Sequence, residues 1–425
     1  MTGPATVNSL EGGATEPDAP EPTPEEFGAE CVEFLRSFPP RERARRSFKW
    51  GEGSDRVAIF ESPEPEAQRA DIAALRHYRN RLFDAGLGWI TGPVALGGRG
   101  LPRRFQRLFD DTARRYAVPN AAPLTISLGM VAPTILAHGT DAAKERYLRA
   151  MHRGDLIACQ LFSEPGAGSD LPAMTTAGLH DGDGWHFTGQ KVWTSGAHFS
   201  DIGLLVCKTG DGPRHHNLSA FVIDMHQPGV EVRPLRQMTG GASFNEVFFD
   251  RAWAPDDDLL GVVNGGWSVA ITTLSNERGA VGGAGFGGSG VLNIDRYQVM
   301  IQELGRAADP LIRQQFADLY AHLWTAKLNQ QRAADALRSG ATPGPEAALG
   351  KLALAHNFRR VADLVSNVVG SALTADTGAW GTYAWSELVL STPGYRIGGG
   401  TDEIIRNSLA ERVLGLPKEP TLPAS

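Results

Sequence analysis

Three short runs carry the residue types from which a site for a flat ring and an anionic or carbonyl-bearing ligand can be built. The first, QLFSEPGAGSD at 160–170, follows a β-rich run and opens a tight glycine-containing loop. Its backbone N–H groups and hydroxyls suit an anion or a carbonyl oxygen, although a well-made surface turn has the same composition. The second, GQKVWTSGA at 189–197, puts the indole of Trp193 and the hydroxyls of Thr194 and Ser195 at the end of another strand. An aromatic with adjacent donors suits a heteroaromatic ring, while a tryptophan at a strand end more often packs into the core. The third, IGGGTDEIIR at 397–406, is a glycine loop running into an amphipathic helix. Thr401 or Asp402 can cap that helix, whose first N–H groups can then meet the oxygen atoms of a ligand.

Other runs invite chemistry that their surroundings do not support. GAGFGG at 283–288 satisfies GxGxxG, but a dinucleotide fingerprint follows a strand and opens a helix. This one lies inside a helical stretch, where glycine permits close approach of a neighbour or a cofactor. His215 and His216 sit in a polar turn after Gly212, Pro213 and Arg214 with no third ligand nearby, so no metal site is expected. Ser169 and Ser195 have glycines close by, yet neither occupies the strained GxSxG elbow of a serine nucleophile.

The elements that position these runs follow from local pattern. Residues 1–24 mix Gly, Pro, Glu and Thr with almost no large apolar side chains, which predicts a disordered tail. Over 25–156, apolar residues recur at helical spacing in 67–87, 104–116 and 141–151, and Gly139, Thr140 and Asp141 read as one helix's C-cap followed directly by the next one's N-cap. Over 157–262 short β-rich runs take over, at 156–162, 185–193, 202–208, 218–225 and 230–235, punctuated by DGDG at 181–184. Strands so spaced, without helices between them, predict an antiparallel sandwich or barrel rather than a nucleotide-binding parallel sheet. Helical periodicity returns near Trp267 and continues through 309–338, 346–369 and 403–414. Residues 263–416 therefore form a second helical domain, followed by a short tail at 417–425. The fold class is α+β multidomain in the order helical, β, helical.

Composition bounds the partners. A chain of 425 residues, 42% of them hydrophobic, can bury a large core and divides into roughly two to four domains. A formal net charge of -7 gives no broad positive surface, which excludes nucleic acid or an anionic membrane as the principal partner. Cys31, Cys159 and Cys207 are far apart and fit no metal pattern, so reduced thiols in a cytoplasmic protein are expected. No apolar run approaches spanning length, and the first residues carry Pro, Glu and Asp where a signal peptide carries Lys or Arg and then an apolar core.

Taken in order within this frame, the three runs, together with LGGRG at 96–100 and FNEVFFD at 244–250, resemble the acyl-CoA dehydrogenase family over almost everything after the tail. The resemblance implies an N-terminal all-α domain, a middle antiparallel β-barrel or sandwich domain and a C-terminal domain like a four-helix bundle. It also implies an acyl-CoA substrate and FAD, held noncovalently, as the hydride acceptor. By the same resemblance Gln160, Phe162, Ser163, Trp193, Thr194 and Ser195 line the flavin, Thr401 and Glu403 reach it from the final loop, and Ser169 meets the CoA portion.

Many members carry their catalytic glutamate immediately before the Gly-Thr of the final loop, and that position here is Gly399. Isovaleryl- and long-chain-type members place it before an arginine early in the last domain, where this chain has LSNER at 274–278. The resemblance therefore implies Glu277 as the base for the α-proton and Arg278 turned toward the CoA. The thioester carbonyl is then held by a backbone N–H of Gly399, Gly400 or their neighbours. Without the family frame, Glu277 reads as an ordinary exposed helical glutamate.

Two family patterns that reach FAD across a subunit interface have no clear match: QELGR at 302–306 stands for the Arg-x-x-Phe-Gly run, and NVVGS at 367–371 for the Gln-rich Gly-Gly loop. In this the chain is similar to actinobacterial members that pair with a paralogous subunit, so a homo-oligomer and a hetero-oligomer both stay open. Electrons are expected to pass to an electron-transfer flavoprotein or a similar acceptor. Two rivals remain, a noncatalytic partner subunit, against which Glu277 weighs, and a flavin oxidase or monooxygenase on the same fold.

Overall fold

The computed structural model describes residues 21–41, 49–57, 64–283, 291–339 and 344–418. They fall into two compact units, one built from residues before 43 and from 81–118, the other from 43–80 and the chain after 118. The first helix, α1 (Pro24–Leu35), opens on a capping box in which the Thr23 hydroxyl accepts the Glu26 N–H and the Glu26 carboxylate accepts the Thr23 N–H. Helical order thus takes in Thr23 and Pro24, the last residues of the stretch read as tail. After α2 (Pro65–Asp84) comes α3 (Arg103–Ala113). In the first unit α1 buries Phe27, Cys31 and Leu35 at four-residue spacing, α3 buries Phe105 and Phe109, and the rings of Phe27 and Phe105 meet edge-on at 5.0 Å.

In the second unit α4 (Ala132–His138) ends at Gly139, and the Thr140 hydroxyl caps α5 (Asp141–Arg153) by accepting the Ala143 N–H at 3.0 Å. This is the back-to-back cap pair read from the sequence. The strands that follow are β1 (Ala158–Leu161), β2 (Ala177–His180), β3 (Trp185–Ser195), β4 (Ile202–Lys208), β5 (Leu218–Asp224), β6 (Val230–Leu235), β7 (Phe244–Ala254) and β8 (Leu259–Leu260). They form one sheet in the order β6, β7, β3, β2, β4, β5, β8, with β1 also on β4. Its pairings are antiparallel except where β1 and β2 join β4 in parallel. Each of those two short strands is followed by a connection long enough to bring the chain back in the same sense. Its core gathers Leu161, Trp185, Phe187, Leu205, Phe221, Ile223, Val247 and Phe249, with Cys159 and Cys207 among them. Burial pushes both thiols up to about 12, so they behave as small hydrophobes.

The remaining helices are α6 (Gly266–Gly283), α7 (Ile294–Glu303), α8 (Pro310–Arg338), α9 (Leu349–Val369), α10 (Trp385–Ile397) and α11 (Asp402–Arg412). Tyr297, Met300, Leu319, Phe358, Val361, Leu364, Trp385 and Leu388 make the common core of α7, α8, α9 and α10. Neither α7 nor α10 stands out in the sequence; α10 carries Pro393 inside it, which reads as a break. Of the GxGxxG run, Gly283 closes α6 and the rest lies outside the described residues. Among the described residues no helix is long and apolar enough to cross a membrane.

Candidate active site

Strand β3 assembles one cluster of the residues singled out in the sequence. Its alternation turns Trp185, Phe187 and then Lys191 inward, and the Lys191 side chain is fully buried. The ammonium donates to the Phe162 carbonyl and to Glu164 Oε1, each at 2.9 Å. The same carboxylate accepts the Thr175 N–H at 2.6 Å, the Thr175 hydroxyl at 2.8 Å and the Thr176 N–H at 2.9 Å. Burial alone pushes the Glu164 carboxyl up, but Lys191 and the threonine donors overrule it and hold it down at about 2. With the Val192 N–H donating to the Ser163 carbonyl at 2.8 Å, residues 162–164 are fastened along β3. Phe162 is buried, Gln160 and Ser163 are partly buried, and Ser169 is exposed farther along the loop.

Just past Lys191 the register of β3 on β7 slips, between Lys191 and Thr194, and Trp193 takes φ of 61°. That left-handed conformation costs a bulky residue roughly 1–3 kcal/mol. The bulge leaves the indole 57% exposed, its ring edge-on to Phe244 at 5.9 Å. The placement in the core that a strand-end tryptophan usually takes is not the one observed. Thr194 is buried, yet its hydroxyl has no hydrogen-bond partner among the described residues, a cost normally met by a ligand or water. The Thr194 carbonyl accepts from Asn245 Nδ2 at 3.0 Å, and that amide also lies 3.1 Å from His198 Nδ1. Ser195, partly buried, pairs with Phe244 at the end of the strand.

A second cluster lies where α10 gives way to α11. Gly399 and Gly400 both adopt left-handed backbone, φ 67° and 88°, and among the described residues their N–H groups have no hydrogen-bond acceptor. Thr401 is the cap, its hydroxyl accepting the Ile404 N–H at 3.2 Å. Asp402 is buried in the first turn and accepts from Arg396 Nε at 2.9 Å. Burial works to raise its carboxyl, while Arg396 and Lys351 hold it below the usual range. Lys351, from α9, lies 3.5 Å from Asp402 Oδ1 and donates to the Gly400 carbonyl at 2.7 Å. Glu403 is exposed. Glu277 arrives from α6: a β-carbon placed on Gly399 would lie 3.5 Å from its Oε1. The side chain of Arg278 lies outside the described residues.

The structure thus joins Phe162 and Ser163 to the strand bearing Trp193 and Thr194, and brings Glu277 to Gly399. Sequence reasoning missed Glu164, Lys191, Asn245 and Lys351, and took Asp402 only as a possible helix cap, a place Thr401 fills. A signal existed for one of them: the two-residue period of β3 places Lys191 on the face of Trp185 and Phe187, and an inward lysine calls for a carboxylate. Among the described residues no group of acids, histidines or cysteines could hold a metal.

Known proteins match the chain along its length. The descriptions acyl-CoA dehydrogenase N-terminal, middle and C-terminal domain fit residues 60–155, 159–252 and 264–414 in turn. The chain is 37% identical over 351 residues to the acyl-CoA dehydrogenase IpdE1 of Mycobacterium tuberculosis, covering 81% of this chain and 88% of that one. It is 36% identical over 361 residues to the acyl-CoA dehydrogenase FadE34 of the same organism, covering 84% of this chain. The match spans only 48% of that longer relative. The solved structure described as Tcur3481-Tcur3483 steroid ACAD superposes with a TM-score of 0.69 at 24% identity, over 95% of this chain and 100% of that one, a likeness of fold. The family uses FAD, and the partnerless hydroxyl of Thr194 beside the outward indole of Trp193 fits such a ring. With helical, β and helical segments each matched in order and a carboxylate brought to the bare glycine of the final loop, the chain belongs to the acyl-CoA dehydrogenase family, oxidoreductases acting on CH-CH donors.

Proposed function

We propose that the chain is an FAD-dependent acyl-CoA dehydrogenase in which Glu277 takes the α-proton of an acyl thioester as hydride leaves the β-carbon. The observation that carries this reading is the carboxylate of Glu277 beside Gly399: the loop that bears the base in many members is bare here, and a neighbouring helix fills the same space. FAD, when bound, supplies the acceptor for the hydride. An α-CH beside a thioester is a very weak acid, so its removal needs stabilisation of the carbonyl oxygen as well as a base. The N–H groups of Gly399 and Gly400, without an acceptor among the described residues, supply that stabilisation, and glycine at both positions allows the close approach. Glu277 receives the proton on a carboxylate oxygen.

Gln160, Phe162, Ser163, Trp193, Thr194 and Ser195 hold the ring, the indole as a flank and the Thr194 hydroxyl as a polar contact. Thr401 and Glu403 reach the cofactor from the final loop. Ser169 and Arg278 serve the CoA portion. The ring and CoA loops belong to residues 157–262, the base to residues 263–416, and the helical residues 25–156 precede them. On α8, Tyr320, Trp324 and Leu328 recur at four-residue spacing and stay about half exposed, a stripe suited to a second subunit. The relative carrying two protein names, Tcur3481-Tcur3483, supports a paralogue there, and its steroid description suggests a bulky acyl group. The electron acceptor is an electron-transfer flavoprotein or a protein like it.

Anaerobic titration of the yellow protein with a panel of acyl-CoAs, steroid side-chain thioesters included, tests this reading. One member should bleach the flavin. A full complement of flavin that no acyl-CoA bleaches, but that a nitroalkane does, would replace the reading with the oxidase alternative.

A further inference from the structure

Three successive glycines, 398–400, give the final loop no side chain with which to hold itself, and ordering glycine costs more backbone entropy than ordering any other residue. Its conformation is imposed by contacts from outside. The Gly398 N–H donates to the Gly394 carbonyl at 2.8 Å, which ties one end to α10. Thr401 ties the other end by capping α11. Between them the only peptide carbonyl gripped by a side chain among the described residues of the loop is that of Gly400, held by Lys351 Nζ at 2.7 Å. The Lys351 side chain is only 10% exposed. A charge in such a place is expensive unless paired, and the fully buried Asp402, itself bonded to Arg396, is the group that keeps it there. For packing alone, methionine or leucine would serve at lower cost.

We infer that Lys351 is a positioning residue for the dehydrogenation: by gripping the Gly400 carbonyl it fixes the Gly400–Thr401 peptide plane, restricts rotation about the Gly400 backbone, and through it orients the preceding peptides, whose N–H groups, those of Gly399 and Gly400, then meet the substrate carbonyl beside Glu277. This rests on the proposed function of the site. The contacts of the Lys351 ammonium are with the Gly400 carbonyl and Asp402, so its proposed role is indirect. Its effect is on where the donors point, and donors of this kind act only when held at the position the developing oxyanion takes.

The test uses the holoprotein, with its partner subunit if one is required. In Lys351→Met, flavin content and the Kd for acyl-CoA should stay within about threefold of wild type while the rate constant of flavin reduction falls roughly 100-fold, the loss typical of small misplacement in an active site. In Lys351→Ala, added ethylamine should recover part of that rate, which a general folding defect would not allow. A crystal structure of Lys351→Met should show the Gly400 carbonyl turned away with α9 and α11 in place. Should Lys351→Met not fold, Lys351→Arg keeps the charge beside Asp402 but changes the donor geometry and should lose about tenfold in reduction. An unchanged rate in whichever variant folds, or a loop identical to wild type, overturns the inference. Wild-type protein that no acyl-CoA reduces would instead sink the functional reading, and the crystal structure still decides whether Lys351 sets the loop.

Discussion

Replacing Lys191 with methionine removes a cation and strands a carboxylate. The two side chains are similar in size and methionine adapts to irregular space, so little cavity is created. What remains is Glu164, 4% exposed, with the donors from Thr175 and Thr176 but no countercharge. Breaking a buried ion pair from one side costs about 3–5 kcal/mol. Three surviving hydrogen bonds place this case near the lower end, about 3 kcal/mol. In the larger unit, residues 43–80 and the chain after 118, each kcal/mol moves Tm by about 1–2 °C, so a fall of about 3–6 °C is expected by calorimetry. The double variant Lys191→Met with Glu164→Leu carries no buried charge and should regain most of that loss, because apolar replacement of both partners is often neutral. In both variants the Phe162 carbonyl lacks its charged donor, so both should bind FAD more weakly than wild type if residues 162–164 hold the ring as proposed. The reasoning fails if the single variant melts within about 1 °C of wild type, or if the double variant is no more stable than the single.

The same pair makes stability depend on acid. Glu164 has its carboxyl depressed from 4.5 to about 2, so its contribution is complete above the ordinary value and fades as pH falls through the folded one. The gap in Tm between wild type and Glu164→Gln should narrow below pH 4.5 and nearly close at pH 2, and a gap independent of pH would refute this. Glu277→Gln should slow flavin reduction by about 10²–10⁴-fold or more with acyl-CoA binding kept. Gly399→Glu in that background should restore part of the rate in stopped flow, limited by the roughly 1–2 kcal/mol that a side chain pays in left-handed backbone. Near wild-type reduction by Glu277→Gln together with loss in Glu403→Gln would move the base to Glu403. Thr401→Ala removes the cap of α11 and should cost about 1 kcal/mol in a melting experiment. Acid precipitation of the holoprotein should release all the yellow colour, since no His or Cys is among the residues proposed to hold the flavin.

The parts of the fold governed by nearest neighbours were legible in the sequence. Gly139 and Thr140 divide α4 from α5 as their types dictate, Thr401 caps α11, and β6 (Val230–Leu235) has the bounds its pattern gives. What required tertiary structure was hidden. Lys191 meets Glu164 from another segment, β1 and β2 join β4 in parallel, and α10 continues through Pro393 because packing of Trp385 and Leu388 outweighs the missing N–H. Trp193 was singled out as suited to a flat ring, but not its left-handed backbone, since nothing in a tryptophan announces one. Glu277 was legible only through the family resemblance; its own neighbours mark an ordinary helical glutamate, and the proximity to Gly399 is a property of the folded chain.

That backbone has a consequence for how the protein can change over generations. If Trp193 flanks the flavin as proposed, position 193 sets folding against function: glycine or asparagine would relax there at once, whereas an aromatic keeps the strain and presents its face. A mutant library sorted only for resistance to heat should therefore drift at 193 toward those small residues, while one sorted for turnover should hold the aromatic against the same gradient. The divergence between the two populations would mark where the lineage has accepted a weaker fold for the sake of its site.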